Sequence, residues 1–146
     1  MDQRSARRGT RGTAALIYLD SSALVKLVIP EPESDALADA LRGRPELASS
    51  ELAAVEVPRS ASRSSDDPAA ATRAESVLEG IDLIALDPEM AAAARDLRPM
   101  ELRSLDAIHI ATALALGGEL ETFISFDRRQ IDGATGAGLD VASPGA

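Results

Sequence analysis

After an aperiodic polar stretch over residues 1–13, four apolar residues stand together as Leu16-Ile17-Tyr18-Leu19. A continuous apolar run this short predicts a strand buried on both faces. The pattern then turns helical. Ser21/Ser22 can cap a helix running to Ile29, stopped by Pro30 and Pro32. Ala36, Leu37, Ala40 and Leu41 place a second helix over Glu33–Leu41, ended by Gly43 and Pro45. A short strand over Glu46–Ser49 precedes a helix capped by Ser50, with Leu52, Val55 and Val57 on it and an interruption at Pro58. A loop over Ser64–Pro68 opens a helix reaching Leu78 and closed by Gly80.

Ile81–Leu86 predicts a strand, and Asp87-Pro88 starts a helix over Glu89–Leu97. The strongest helix is Leu105–Leu116, capped by Ser104 and ended by Gly117-Gly118, with Ile110, Ala113 and Leu114 as its core face. Thr122–Phe126 is a strand, followed by a short helix, a glycine-rich turn through Gly133, Gly136 and Gly138, and a last strand over Leu139–Ala142. Strands alternating with helices and no internal repeat imply one α/β domain over residues 16–146, a central parallel sheet flanked by helices on both faces.

Composition narrows the chemistry. The chain has 146 residues, no cysteine, one histidine and 2% aromatic residues. Without cysteine there are no disulfides, no thiolate zinc sites and no cysteine nucleophile, and a reducing, cytoplasmic setting is expected. His109 alone excludes any site built on two histidines. With only Tyr18, Phe123 and Phe126 as aromatic residues, a base-stacking platform has too few rings. No segment reaches the roughly 18 uninterrupted apolar residues of a membrane span, so no membrane role is expected.

Charge is unevenly placed. Residues 1–15, read as a loose Arg-rich arm, sum to +3, which leaves −12 of the net −9 on the rest of the chain. A body this acidic does not hold phosphates by bulk electrostatics. If it handles nucleic acid, its own carboxylates must first be neutralised, and a divalent cation is the natural agent.

In open α/β sheets, ligands bind beyond the carboxyl ends of the strands. Asp20 and Asp127 follow the first and fourth strands, and Asp106 lies in the first turn of a helix. Glu56 sits mid-helix between Val55 and Val57, so it is harder to dismiss as surface charge than Glu51. Four carboxylates on four elements are thus expected to meet at one end of the sheet. The surrounding residues read Leu19-Asp20-Ser21-Ser22-Ala23-Leu24-Val25-Lys26, Ser50-Glu51-Leu52-Ala53-Ala54-Val55-Glu56, Ser104-Leu105-Asp106-Ala107-Ile108-His109-Ile110-Ala111-Thr112 and Phe123-Ile124-Ser125-Phe126-Asp127-Arg128-Arg129. Together, in this order and over residues 16 to about 144, they resemble the PIN domain of VapC-type toxin ribonucleases.

The resemblance implies a Mg²⁺-dependent endoribonuclease (with Mn²⁺ able to substitute) that acts as the toxin of a toxin–antitoxin pair. It implies Asp20 and Asp106 as principal metal ligands, Asp127 as the fourth acid beside the metal, and Glu56 as the acid of the second motif. Ser125 then matches a hydroxyl that orients the carboxylates. The implied partners are an RNA substrate, a small antitoxin laid over the acidic site, and a second copy of the chain. The Arg-rich start and Pro58, two residues past Glu56, depart from the family pattern.

The chemistry agrees with the residue types. Carboxylate-held Mg²⁺ can activate water and stabilise charge on a phosphodiester, and oxygen ligands without histidine suit it. Plainer readings stand beside these. Asp20 and Asp127 can be helix caps, and Asp106 can merely complement a helix N-terminus. For His109 a packed, hydrogen-bonded imidazole is favoured over a catalytic one. Arg128 and Arg129 can grip an RNA phosphate or pair at the surface. Gly133–Gly138 reads as a turn in preference to a phosphate loop. Pro58 either re-aims Glu56 or ends its helix early. The alternative from another class is a non-catalytic PIN-like binding module that sequesters a protein or RNA partner. A receiver domain and a dehalogenase-like phosphatase are excluded, since the first strand ends in a lone Asp20 with Ser22 two residues later.

Overall fold

The computed structural model describes residues 15–44 and 46–146, so the expected Arg-rich arm lies outside the described residues apart from Ala15. Strand β1 (Leu16–Leu19) occupies the centre of a five-stranded, all-parallel sheet of order β3-β2-β1-β4-β5. The other strands are β2 (Leu47–Ser50), β3 (Asp82–Ile84), β4 (Leu120–Ile124) and β5 (Val141–Ala142). Helices α1 (Ser21–Val28) and α2 (Ser34–Leu41) link β1 to β2. Next, α3 (Ala53–Ser64) and α4 (Ala69–Glu79) link β2 to β3. From β3 the chain passes through α5 (Pro88–Arg95), α6 (Ser104–Ala115) and a short 3₁₀ turn to reach β4 on the far side of β1. Finally, α7 (Arg128–Gly136) joins β4 to β5.

Alternation along β1 explains how one short run serves two cores. Ile17 and Leu19 pack with Leu24, Val28, Leu37, Val57 and Ile124 on one face. Tyr18 points the other way, into a cluster with Ile110, Ala113, Phe123 and Ala134. Its ring stacks on Phe123 with centroids 5.1 Å apart and planes 6° from parallel, worth about 0.5–1.5 kcal/mol beyond burial. Both faces are therefore covered, as the apolar run of β1 predicts.

Several local expectations need correction. Helix α3 runs through Pro58 to Ser64. The missing Pro58 N–H forfeits one hydrogen bond, while buried Ala53, Val57 and Ala61 hold both halves of the helix against the sheet. Val55 is 59% exposed whereas Val57 is buried, so only one of the residues flanking Glu56 belongs to the core. Leu114 is likewise exposed at 39%, off the core face of α6. Strand β3 is three residues long, on the sheet edge and largely exposed, which shortens the predicted Ile81–Leu86 run.

Gly133 and Gly136 lie inside α7, so the glycine-rich stretch is a helix end and not a turn. A Cβ at Gly133 would stand 2.7 Å from Leu102 Cδ2 and 2.9 Å from Ile110 Cδ1. The glycine is there to let α7 press against α6 and the segment before it. Gly138, with φ +94°, supplies the left-handed turn out of α7.

Candidate active site

The strand order places a switch point between β1 and β4. The connection leaving β1 returns on one side of the sheet, and the connection leaving β4 continues on the other. A crevice opens between their carboxyl ends. Asp20 and the Ser125-Phe126-Asp127 segment occupy its two lips, joined by the Asp20 N–H donating to the Ile124 carbonyl at 3.2 Å.

Asp20 is buried at 3% exposure and is the N-cap of α1. Its Oδ1 accepts from the Ala23 N–H (3.0 Å) and the Ser22 hydroxyl (2.6 Å), and its Oδ2 accepts from the Ser125 hydroxyl (2.6 Å). Ser22 Oγ also accepts from the Phe126 N–H at 2.9 Å, and Ser125 Oγ accepts from the Asp127 N–H at 3.1 Å. The two serines thus lace the end of β1 to the loop after β4. Burial pushes the Asp20 carboxyl above the usual carboxylate range, against the pull of His109 and these hydrogen bonds. The cap and the site are one residue. Ser21 and Ser22, expected as caps, serve the neighbouring carboxylates instead.

Asp106 sits half-buried in the first turn of α6. Burial raises its carboxyl, and the charges of Asp127 and Asp20 raise it further, opposed by His109 and Arg103. Asp106 thus lies within reach of the charges of both Asp20 and Asp127. Asp127 is exposed and caps α7, accepting from the Arg129 N–H at 2.9 Å. Arg128 stands exposed as the first residue of α7.

Glu56 is oriented differently. Its Oε1 accepts from the Ser21 hydroxyl (2.5 Å) and lies 2.9 Å from His109 Nε2. His109 is buried, with Nδ1 2.6 Å from the Tyr18 hydroxyl. Burial raises the Tyr18 hydroxyl pKa well beyond the neutral range, so the group is protonated and able to donate. A consistent arrangement has Tyr18 O–H donating to Nδ1 and Nε2–H donating to Glu56. Burial pushes Glu56 up, yet the hydrogen bonds from His109 and Ser21 outweigh it and hold the carboxyl below its ordinary value. The histidine is a packed clamp on Glu56, the plainer of the two readings. Glu51 is exposed and does something else, its Oε1 accepting from the Leu86 N–H at 2.6 Å beyond β3.

Among the described residues, no group of three or more His, Asp or Glu side chains closes into a cage that could hold a metal ion as it stands. The donor set nonetheless suits a hard cation. It consists of oxygen only, Asp20 is desolvated, and Asp106 is strained by its acidic neighbours. Asp20, Asp106 and Asp127 are the residues that would hold such an ion, with Glu56 one side chain away through Ser21.

The arginines around Asp106 went partly unread in the sequence. Arg98, Arg103 and Arg129 line a cleft of about 330 Å³ that has Asp106 in its wall. They come from three separate positions along the chain, and spacing alone gives no sign that they meet. Two further clefts, about 350 and 490 Å³, run along α5 and α6, and neither lining includes any of the four acids.

A profile of the PIN domain family matches residues 17–135. The chain belongs to the PIN domain family. This PIN domain is 45% identical over 130 residues to ribonuclease VapC46 of Mycobacterium tuberculosis, covering 89% of this chain and 98% of that one. It is 38% identical over 135 residues to ribonuclease VapC47 of the same species, covering 90% and 98%. Among solved structures its fold is similar to a toxin–antitoxin complex from Klebsiella pneumoniae, with TM-score 0.66 and 24% identity over 88% of this chain and 97% of that one. It is also similar to VapBC2 from Rickettsia felis bound to a promoter DNA fragment, with TM-score 0.69 and 14% identity over 88% and 98%. The expected α/β PIN-like architecture is thereby shown. No helix among the described residues is long and apolar enough to cross a membrane.

Proposed function

We propose that this PIN domain is a divalent-metal-dependent endoribonuclease and the toxic member of a toxin–antitoxin pair, acting on RNA in the cytoplasm. The observation that carries the reading is the convergence of Asp20, Asp106 and Asp127 on the β1/β4 switch point, with Asp20 buried and Asp106 feeling the charges of the other two. The kinship with VapC ribonucleases supports it.

Bound Mg²⁺, or Mn²⁺ in its place, supplies an activated water and neutralises charge developing on the phosphoryl oxygens. The chain's own residues do the rest. Asp20 is locked in one rotamer by three donors, and Ser22 and Ser125 fix the distance between the two lips of the crevice. Asp106 and Asp127 present the remaining carboxylates from the N-terminal ends of two helices. Glu56 is steadied through Oε1 by Ser21 and His109, which leaves Oε2 to orient water at the edge of the site. Arg128 is an exposed contact for an RNA phosphate. The same acidic end is where a small antitoxin with a basic residue would bind, and a second copy of the chain completes the expected assembly.

The test is cleavage of RNA by the purified chain with Mg²⁺, compared with Asp20→Asn and Asp106→Asn. Both variants are expected to lose activity by orders of magnitude while folding normally. Mapping RNA 5′ ends after brief expression would then define the target. If Asp20→Asn cleaves like the parent in matched metal, the site assignment fails.

A further inference from the structure

The charge of this chain makes its free cations informative. The body is strongly acidic, and five of its eleven basic side chains are tied down: Lys26 to Glu31 and Glu33, Arg42 to Asp39, Arg44 to Glu121, Arg73 to Asp67 and Arg95 to Asp96. Arg98, Arg103 and Arg129 make no ion pair with a described residue, although they line one cleft with Asp106. Two of them also sit against their helices. Arg103 is the N-cap of α6, which has no side-chain cap, and Arg129 is in the first turn of α7. A cation at a helix N-terminus opposes the macrodipole, and arginine is a poor cap. Packing gives these positions no compensation, since both side chains are exposed.

We propose that the Arg98/Arg103/Arg129 cleft is a subsite for a backbone phosphate of the RNA strand, adjacent to the phosphate that is cleaved. The inference rests on the nuclease reading above and adds to it the residues that hold the strand in register. A guanidinium fork matches phosphate oxygens in a two-point contact that a point charge cannot make. A ligand phosphate also relieves the unfavourable placement of Arg103 and Arg129 at the helix ends. The volume, about 330 Å³, admits a phosphate together with part of its nucleotide. Glu101, Asp106 and Asp132 share the walls, so three acids balance the three arginines and the cleft has no net positive charge. An anion is held there by local guanidinium contacts and not by a long-range field. This suits a chain whose overall charge repels nucleic acid.

The experiment measures binding of a fluorescent single-stranded RNA by anisotropy across a salt series, in the cleavage-deficient Asp20→Asn background, alongside cleavage kinetics in the otherwise native chain. Arg103→Ala and Arg129→Ala are each expected to weaken binding about five- to tenfold. They should also lower the slope of log affinity against log salt by about 0.7 per residue. In cleavage they should raise KM more than they reduce kcat. Arg103→Lys keeps the charge and should restore the slope but only part of the affinity. Arg42→Ala and Arg95→Ala, both in surface pairs, are the charge-matched controls. Thermal melts check that each exposed substitution leaves the fold intact. If the parent cleaves RNA and the Arg103→Ala/Arg129→Ala double variant matches the controls in affinity, slope and KM, the subsite is refuted and the nuclease reading stands. If the parent binds RNA with the predicted arginine dependence but never cleaves it, the nuclease reading falls and the subsite stands. A parent that neither binds nor cleaves overturns both.

Discussion

Removing one charge from the acidic crevice separates a metal-holding site from ordinary surface acidity. In Asp20→Asn the amide oxygen can keep the Ala23 N–H and Ser22 hydroxyl bonds, and its NH₂ faces Ser125 Oγ, which can accept in place of donating. The α1 cap therefore survives, and the cost of a desolvated charge disappears. In chelator, the variant should melt at or above the temperature of the parent. Divalent metal should invert that order. An ion that binds only the folded state stabilises by about 2.7 kcal/mol at a hundredfold excess over its dissociation constant. Unfolding entropy of about 2.1 cal/mol/K per residue converts this, for 146 residues, to a rise of roughly 9 °C. Asp20→Asn loses a buried ligand and should gain less than about 3 °C at the same metal concentration. The assay is a thermal melt by circular dichroism in chelator, in Mg²⁺, in Mn²⁺, and in NaCl of equal ionic strength. The salt arm removes diffuse screening from the comparison. Should the variant retain the full divalent-specific rise, the ion is bound elsewhere and the site built on Asp20 is wrong.

The two glutamates of the second motif should separate cleanly. Glu56→Gln should lower RNA cleavage at least tenfold, while Glu51→Gln, whose side chain accepts from the Leu86 N–H outside the acidic crevice, should leave cleavage near parental; the reverse pattern would move the site by more than one helical turn. Tyr18→Phe keeps the stack on Phe123 but strips the donor from His109 Nδ1, leaving a buried acceptor unpaired. Urea unfolding should show a loss of about 1–3 kcal/mol, and cleavage should fall as Glu56 loses its fixed clamp. An unchanged unfolding free energy would mean that the Tyr18–His109 bond is not made. The pH dependence also has a defined sign. Asp20 is raised in the folded state, so the folded protein binds more protons than the unfolded one between the two pKa values. In chelator the parent should lose stability relative to Asp20→Asn as pH rises above about 4, and the gap should level off once the folded carboxyl has ionised. A gap that narrows with rising pH would contradict the burial argument.

The order of strands and helices was legible along the chain because each element carries its own period. Leu16–Leu19 is uninterrupted and central, and Ser104–Ala115 repeats with helical spacing. Asp20, Asp106 and Asp127 were also legible, since a strand end or a first helical turn is a local feature. Cap chemistry was less so. Ser21 and Ser22 read as caps, because a sequence does not show that a buried carboxylate next door needs their hydroxyls more. Pro58 and Gly133 show the same limit. A proline ends a helix unless flanking residues are buried well enough to hold it, and a glycine marks a turn unless a neighbouring helix needs the space.

What the linear pattern settled, then, was the alternation of elements, the parallel sheet and the positions of the acids, all consequences of local hydrophobic spacing and charge. What only the tertiary structure decided was which side chains meet. Tyr18, Glu56 and His109 are connected across 91 and 53 residues of chain, and Ser125 reaches Asp20 across 105. The gathering of Arg98, Arg103 and Arg129 beside Asp106 is of the same kind. Such contacts depend on how helices rotate and approach over the sheet. That is set by the summed packing of two cores, and no window of sequence contains it.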